Sequence, residues 1–253
     1  MVMKRLLIFM FALSPVAASA QSGAILFDRS VKYEFELPER MRQRLDRIPT
    51  ADVSQMLLLF NESASLLVLA PTEEEEDQTG LAPRERGMLI QRLRMGSTSR
   101  SDQETLQEAY VSFDDGSITQ TREFMGRTFL IRGTRPSYEW RLSGEMSQVL
   151  GYTVQKAMAV QDSSIIEAWF TPEIPVSAGP GPFGGLPGMI LSVSVDSGHT
   201  IYSASEINLT SVEEEAIRAP EEGEEVSPDE YEQIVAEKLE ELRMRRRGRR
   251  RRP

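Results

Sequence analysis

From residue 31 to residue 208 the chain is written in short apolar or alternating segments separated by turn residues, the pattern of a meandering antiparallel sheet. Strands are predicted at 31–35, 55–60, 65–69, 88–95, 106–113, 117–124, 127–132, 138–142, 146–160 with a break at Gly151, 164–171, 188–196 and 200–208. Asn61-Glu62-Ser63, Asp114-Asp115-Gly116, Met125-Gly126 and Ser197-Gly198-His199 supply the turns, since Asp, Asn and Gly tolerate positive φ. Alternation is clearest at Tyr152, Val154, Met158 and Val160, then at Ile165 and Trp169, which are expected to line one face of the sheet.

The helical period of 3.6 surfaces only twice. Met41, Leu45 and Ile48 predict a short amphipathic helix within 38–48. Ser227-Pro228-Asp229-Glu230 combines a serine N-cap, proline at the first helical position and the glutamate of a capping box. The helix it starts is expected over 228–242, with Tyr231, Ile234, Val235, Leu239 and Leu242 on one face. The expected organisation is therefore a β-rich domain at 21–210, an acidic linker at 211–227, that helix, and a disordered tail at 243–253. The fold class is mainly β, a curved antiparallel sheet or open half-barrel with a short N-terminal and a C-terminal helix.

The N-terminus changes the setting. Lys4-Arg5, an apolar run from Leu6 to Leu13 and Ala18-Ser19-Ala20 are the three parts of a cleaved signal peptide at 1–20. The run is shorter than the roughly 20 residues that span a bilayer. Export to the periplasm or outer membrane is expected, and not as a lipoprotein, because the chain has no cysteine to carry the lipid. The same absence excludes disulfides, thiol catalysis and thiolate metal sites.

Without residues 1–20 the chain keeps 27 basic and 39 acidic residues, a net −12. The balance is very uneven, because eight arginines and no acid lie in 243–253 and leave the body at −20. Such a body repels nucleic acid and anionic membrane, while Arg243, Arg245, Arg246, Arg247, Arg249, Arg250, Arg251 and Arg252 attract both. With export, nucleic acid is not an expected partner, and three readings of the tail remain: a solvated disordered segment, a contact for anionic lipid or lipopolysaccharide, or pairing with acidic segments of the same protein.

Candidate chemistry is sparse. His199 is the single histidine, in a turn, and no G-x-S-x-G elbow offers it a nucleophile. The acidic run 73–77 has neither the ligand spacing nor the glycine of a calcium loop. No phosphate-binding loop is present. Glu139, Glu145, Glu167 and Glu173 could supply a carboxylate pair, without a spacing that brings two of them together. No cofactor, metal or catalytic residue is expected, so a binding protein is favoured over a carboxylate-based hydrolase.

The most unusual segment is 172–188, with five prolines and five glycines. Prolines lack donors and glycines add backbone freedom, which excludes helix and central strand. Yet Ile174, Val176, Phe183 and Leu186 punctuate it, and it runs into an apolar strand, so an ordered loop over the sheet is expected. Gly185-Leu186-Pro187-Gly188-Met189-Ile190 resembles the signature of the GLPGLI family, exported proteins of Bacteroidetes and related bacteria, with Met189 where leucine is usual. Trp140, Leu142, Gly151-Tyr152, Lys156-Ala157, 168–171, 173–176, Gly179-Pro180 and Phe183-Gly184 follow the family's order and spacing. Val154 stands where many relatives have a cysteine.

The resemblance implies export and a strand pattern similar to the half-barrels that carry lipoproteins in the periplasm, but no particular chemistry. An open curl leaves an apolar groove. Phe183, Leu186, Pro187, Met189, Trp169 and Tyr152 are the residues expected to bind an apolar ligand or a segment of an envelope protein there. The alternative is a structural or partner-binding protein in which Phe183 and Leu186 belong to the core.

Overall fold

The computed structural model describes residues 22–32, 51–70, 100 and 103–250. The predicted signal peptide, the helix within 38–48, the acidic run 73–77, the strand at 88–95 and Arg251 and Arg252 lie outside the described residues.

Twelve strands form one curved, open sheet. They are β1 (Gly23–Lys32), β2 (Ala51–Phe60), β3 (Ala64–Leu69), β4 (Glu104–Ser112), β5 (Ser117–Phe124), β6 (Arg127–Thr134), β7 (Arg141–Val149), β8 (Tyr152–Gln161), β9 (Ser164–Thr171), β10 (Met189–Val195), β11 (Thr200–Asn208) and β12 (Glu224–Val226). Among the described residues one α-helix, α1, runs from Pro228 to Arg250. The spatial order is β12-β6-β5-β4-β3-β2-β1-β11-β10-β9-β8-β7. Neighbours are antiparallel except β12, which lies parallel to β6. Bulges at Leu26/Phe27, Leu106/Glu108, Leu142/Met146 and Ile190/Ser192 increase the local twist and help such a wide sheet to curl.

The concave face holds the main core. Ile25 and Phe27 of β1, Met56, Leu58 and Phe60 of β2, Leu67 of β3 and Val193 of β10 are fully buried there. β1 starts at Gly23, earlier than the predicted 31–35, because the polar triplet Asp28-Arg29-Ser30 hides its period of two. Arg29 keeps that period and is buried on the core side of the strand.

β8 and β9 correct the predicted facing. The buried positions there include Ala157, Ala159 and Ala168, whereas Met158, Val160 and Ile165 are exposed, Val160 at 69%. Of the six alternating positions, Val154 joins the core, and Tyr152 and Trp169 are half-buried against it. Ala157 and Ala168 share the main core with Ile174, Val176 and Ala178 of segment 172–188.

The segment after β11 turns over the convex side, where Val212 and Ile217 pack on Leu59, Ala64, Leu66 and Tyr110. α1 then covers the β5–β6 end, burying Tyr231, Val235 and Leu239 against Phe124, Phe129 and Ile131. Its capping box is formed as the sequence predicts. Ser227 Oγ accepts from Glu230 N at 3.2 Å, and Glu230 Oε2 accepts from Ser227 N at 2.8 Å. The helix does not stop at Leu242 as expected. Arginine is a good helix former, and the backbone continues as helix through Arg250.

Candidate functional site

Segment 172–188 is ordered over the concave face. Ile174, Val176 and Ala178 are buried while Pro175 and Ser177 between them are exposed, so an extended strip presses alternate side chains into the core. Tight three-residue turns satisfy its backbone, with Val176 N donating to Ile174 O and Ala178 N to Val176 O, each at 2.8 Å. Met189 N donates to Ile174 O at 3.0 Å and Ile190 N to Ala178 O at 2.8 Å, which ties the strip to the start of β10.

A cation and an indole hold the second half of the loop. Arg135 donates from Nε to Pro182 O at 3.1 Å, from Nη1 to Ser177 O at 3.2 Å and from Nη2 to Phe183 O at 2.7 Å. Burial holds its guanidinium below its usual pKa. Trp140 Nε1 donates to Gly184 O at 2.8 Å. Tyr138 sits between them, its ring 5.2 Å from that of Trp140 and 5.8 Å from that of Phe183, and burial pushes its hydroxyl up to about 12.

The motif glycines follow from this packing. A Cβ at 184 would overlap Arg135 Nη2, and a Cβ at 188 would overlap the Thr171 carbonyl. Gly188 also has φ +147, a conformation that side chains oppose.

Among the residues expected to bind, Phe183 is 9% exposed, Leu186 3% and Met189 0%, and all three belong to the main core together with Ile190. Pro187 and Gly185 are exposed. Trp169 sits under Lys156, whose Nζ lies 5.9 Å from the indole. Segment 172–188 thus occupies the face where the sequence led us to expect a groove. Arg135 and Trp140 were not in the expected set. Their partners lie 42 to 48 residues away along the chain, so no local pattern announces them.

A second polar constellation joins α1 to the sheet. Glu104 is ion-paired to both Arg100 and Arg122, and Arg100 bonds Glu232 of α1 at 2.6 and 2.8 Å. Burial alone would raise the Glu104 pKa, but the two guanidinium charges outweigh it and hold the carboxyl below the usual range. Tyr231 lies beside the group, its hydroxyl raised mainly by burial, and no hydrogen-bond partner for that oxygen lies among the described residues.

The structure brings two of the four candidate carboxylates to one lysine and leaves the other two apart. Glu145 and Glu167 both reach Lys156, at 3.6 and 3.2 Å. Glu173 accepts from Thr153 N at 2.9 Å, and Glu139 is exposed. No group of three metal-ligating side chains occurs among the described residues.

The most open region is β7. Among the described residues it pairs with β8 on one side only and ends the sheet. Every residue from Arg141 to Gln148 is exposed, including Leu142 at 59% and Met146 at 63%. Leu142 stands opposite Ala157, which pairs with core residue Ala168, so an exposed apolar side chain extends the concave face beyond its covered part. Met158, Val160 and Ile165 add apolar surface on the other side of the same end of the sheet.

Comparison with known proteins adds little beyond the fold. The family described as "Protein of unknown function (Porph_ging)" matches residues 158–192, which include the Gly-Leu-Pro-Gly turn and β9. No curated protein matches the chain in sequence. Structures of PNGF-II in space groups P21 and C2 are similar, with TM-scores of 0.50 and 0.51 at 15% and 16% identity. The chain is covered to 85% in both comparisons but spans only 33% of PNGF-II. At that identity the likeness is one of fold alone, and residues 158–192 are similar to a family of unknown function.

Proposed function

We propose that this is an exported, non-enzymatic binding protein of the GLPGLI type, acting in the cell envelope. Its binding element is the free edge of β7, which takes up an extended segment of an envelope protein by strand addition. The observation that carries this reading is the nine-residue edge strand itself, unpaired on its outer side among the described residues and exposed along almost its whole length. Such an edge offers a row of backbone donors and acceptors, and natural sheets normally protect it. Here the protection consists of one bulge, at Leu142/Met146, and the exposed charges of Arg141 and Glu145. Leu142 and Met146 would select apolar side chains at alternate positions of the incoming segment, while backbone bonds supply affinity.

An apolar ligand in the concave face is less well supported, because Phe183, Leu186 and Met189 are already packed in the core. In producing cells, a photo-crosslinking residue at Ser147 is expected to yield a discrete protein adduct, and one at Glu123 of β5 is not. Leu142→Glu with Met146→Glu, both at exposed positions, should lower the adduct about tenfold or more without changing the thermal midpoint. An absent adduct at Ser147, or one insensitive to the double substitution, overturns the proposal.

A further inference from the structure

α1 carries two different surfaces in succession. From Tyr231 to Leu239 its buried residues dock it on β5 and β6, and the Glu232–Arg100–Glu104–Arg122 network locks its first turns to the sheet. Leu242 is the last residue packed on that cluster. The helix then runs eight more residues to Arg250, about 12 Å at the usual rise, with Met244 at 62% exposure. Six of those eight residues are arginines. Arg243 reaches Glu240 only at 3.7 Å, with both side chains about half exposed.

At about 100° per residue, positions 243, 245, 246, 247, 249 and 250 cover an arc of about 200°, and only Met244 and Gly248 lie in the remaining gap. Such an arm has no apolar stripe with which to lie in a bilayer, unlike an amphipathic interfacial helix. It is a charged rod, and its cations are all guanidinium groups, whose planar forks fit phosphate oxygens two at a time. Acids dominate the body, so a polyanionic surface is attractive to the protein only at this arm.

We propose that the Arg243–Arg250 arm docks the protein onto an anionic lipid surface by its phosphate-bearing headgroups, with the locked first half of α1 holding the acidic body away from the bilayer. The choice of a membrane over nucleic acid rests on the expected export, but not on the β7 reading, which concerns another edge of the molecule. The helix C-terminus favours cations as well, which stabilises the arm in its helical form.

The test is co-sedimentation of the exported protein with vesicles of phosphatidylglycerol and phosphatidylethanolamine, against vesicles of phosphatidylcholine alone. Binding is expected to the anionic vesicles only, and to fall steeply as salt rises and the Debye length shrinks below about 8 Å. Each arginine within reach of the headgroups should contribute roughly fivefold. Arg245→Gln with Arg247→Gln should therefore weaken binding about 25-fold, and removal of residues 243–253 should abolish it. An unchanged thermal midpoint in both variants keeps loss of fold from imitating the result. Equal binding to neutral vesicles, indifference to salt, or full binding by the truncated protein overturns the proposal. Tighter binding to duplex DNA than to anionic vesicles at the same phosphate concentration also overturns it, and reassigns the arm to nucleic acid.

Discussion

Gly184→Ala isolates the clamp that holds the motif loop. Gly184 has no positive φ, so strain is not the source of the effect; the three nearest atoms to an added Cβ all belong to Arg135. The guanidinium must withdraw, because the loop backbone it faces is tied to β10. Withdrawal breaks the 2.7 Å bond to Phe183 O and weakens those to Pro182 O and Ser177 O. Bonds from a charged donor contribute roughly 1.5 to 3 kcal/mol each, and partial exposure places these at the low end, so the expected loss is about 2 to 3 kcal/mol. Urea unfolding followed by circular dichroism measures it. With Arg135→Ala already made, the methyl group finds room and Gly184→Ala should cost under about 0.5 kcal/mol. The double-mutant cycle should therefore return a coupling of about 2 kcal/mol. Additive effects of the two substitutions would refute the clamp.

Other outcomes follow from the same contacts. Leu186→Ala should cost about 3 kcal/mol in a urea titration, as a buried leucine in a filled core does, whereas Pro187→Ala at the neighbouring exposed position should cost under about 1 kcal/mol. Glu104→Gln should cost about 3 kcal/mol at pH 7, because it removes a buried carboxylate, leaving the partly buried Arg122 without its ion-pair partner and Arg100 with Glu232 alone. The folded Glu104 pKa lies below the unfolded one, so its contribution is complete above the unfolded value and is lost as pH falls through the folded value. Urea midpoints of the wild type and Glu104→Gln should thus converge on acidification, with little change until the pH is below about 4. A difference that instead grew on acidification would contradict the ion-pair assignment.

Much of the fold is legible in the chain because local rules operate there. The hairpins β4–β5, β5–β6, β8–β9 and β10–β11 turn at the Asp, Gly and Ser residues that tolerate positive φ, and Met125, Asp162, Asp196 and Ser197 adopt it. The capping box places the start of α1 to the residue. Where tertiary contacts decide, the pattern misleads. Met158 and Val160 read as a buried stripe because they are larger and more apolar than Ala157 and Ala159. Facing is set instead by what packs on each side of the sheet, and it is the alanines that are buried, Ala157 in one core with residues of the 172–188 loop. Arg29 interrupts the pattern of β1 in the same way.

The loop at 172–188 is recognisable as ordered, since an apolar residue recurs among its prolines and glycines. That Phe183 and Leu186 fill the concave face rather than border a groove depends on Arg135 and Trp140, which reach it across more than 40 residues. The openness of β7 is equally invisible, because nothing in Arg141 to Val149 says that the sheet ends there.

The most direct test of a filled concave face and a free edge is amide hydrogen exchange on the isolated protein, resolved across 172–190 and 141–149. The amides of Gly188, Met189 and Ile190 should exchange only through near-global unfolding, together with those of β11, while β7 exchanges orders of magnitude faster. Rapid exchange of 174–190 with the rest of the sheet still protected would show a loop that opens by itself, and would return the concave face to the role of a ligand groove.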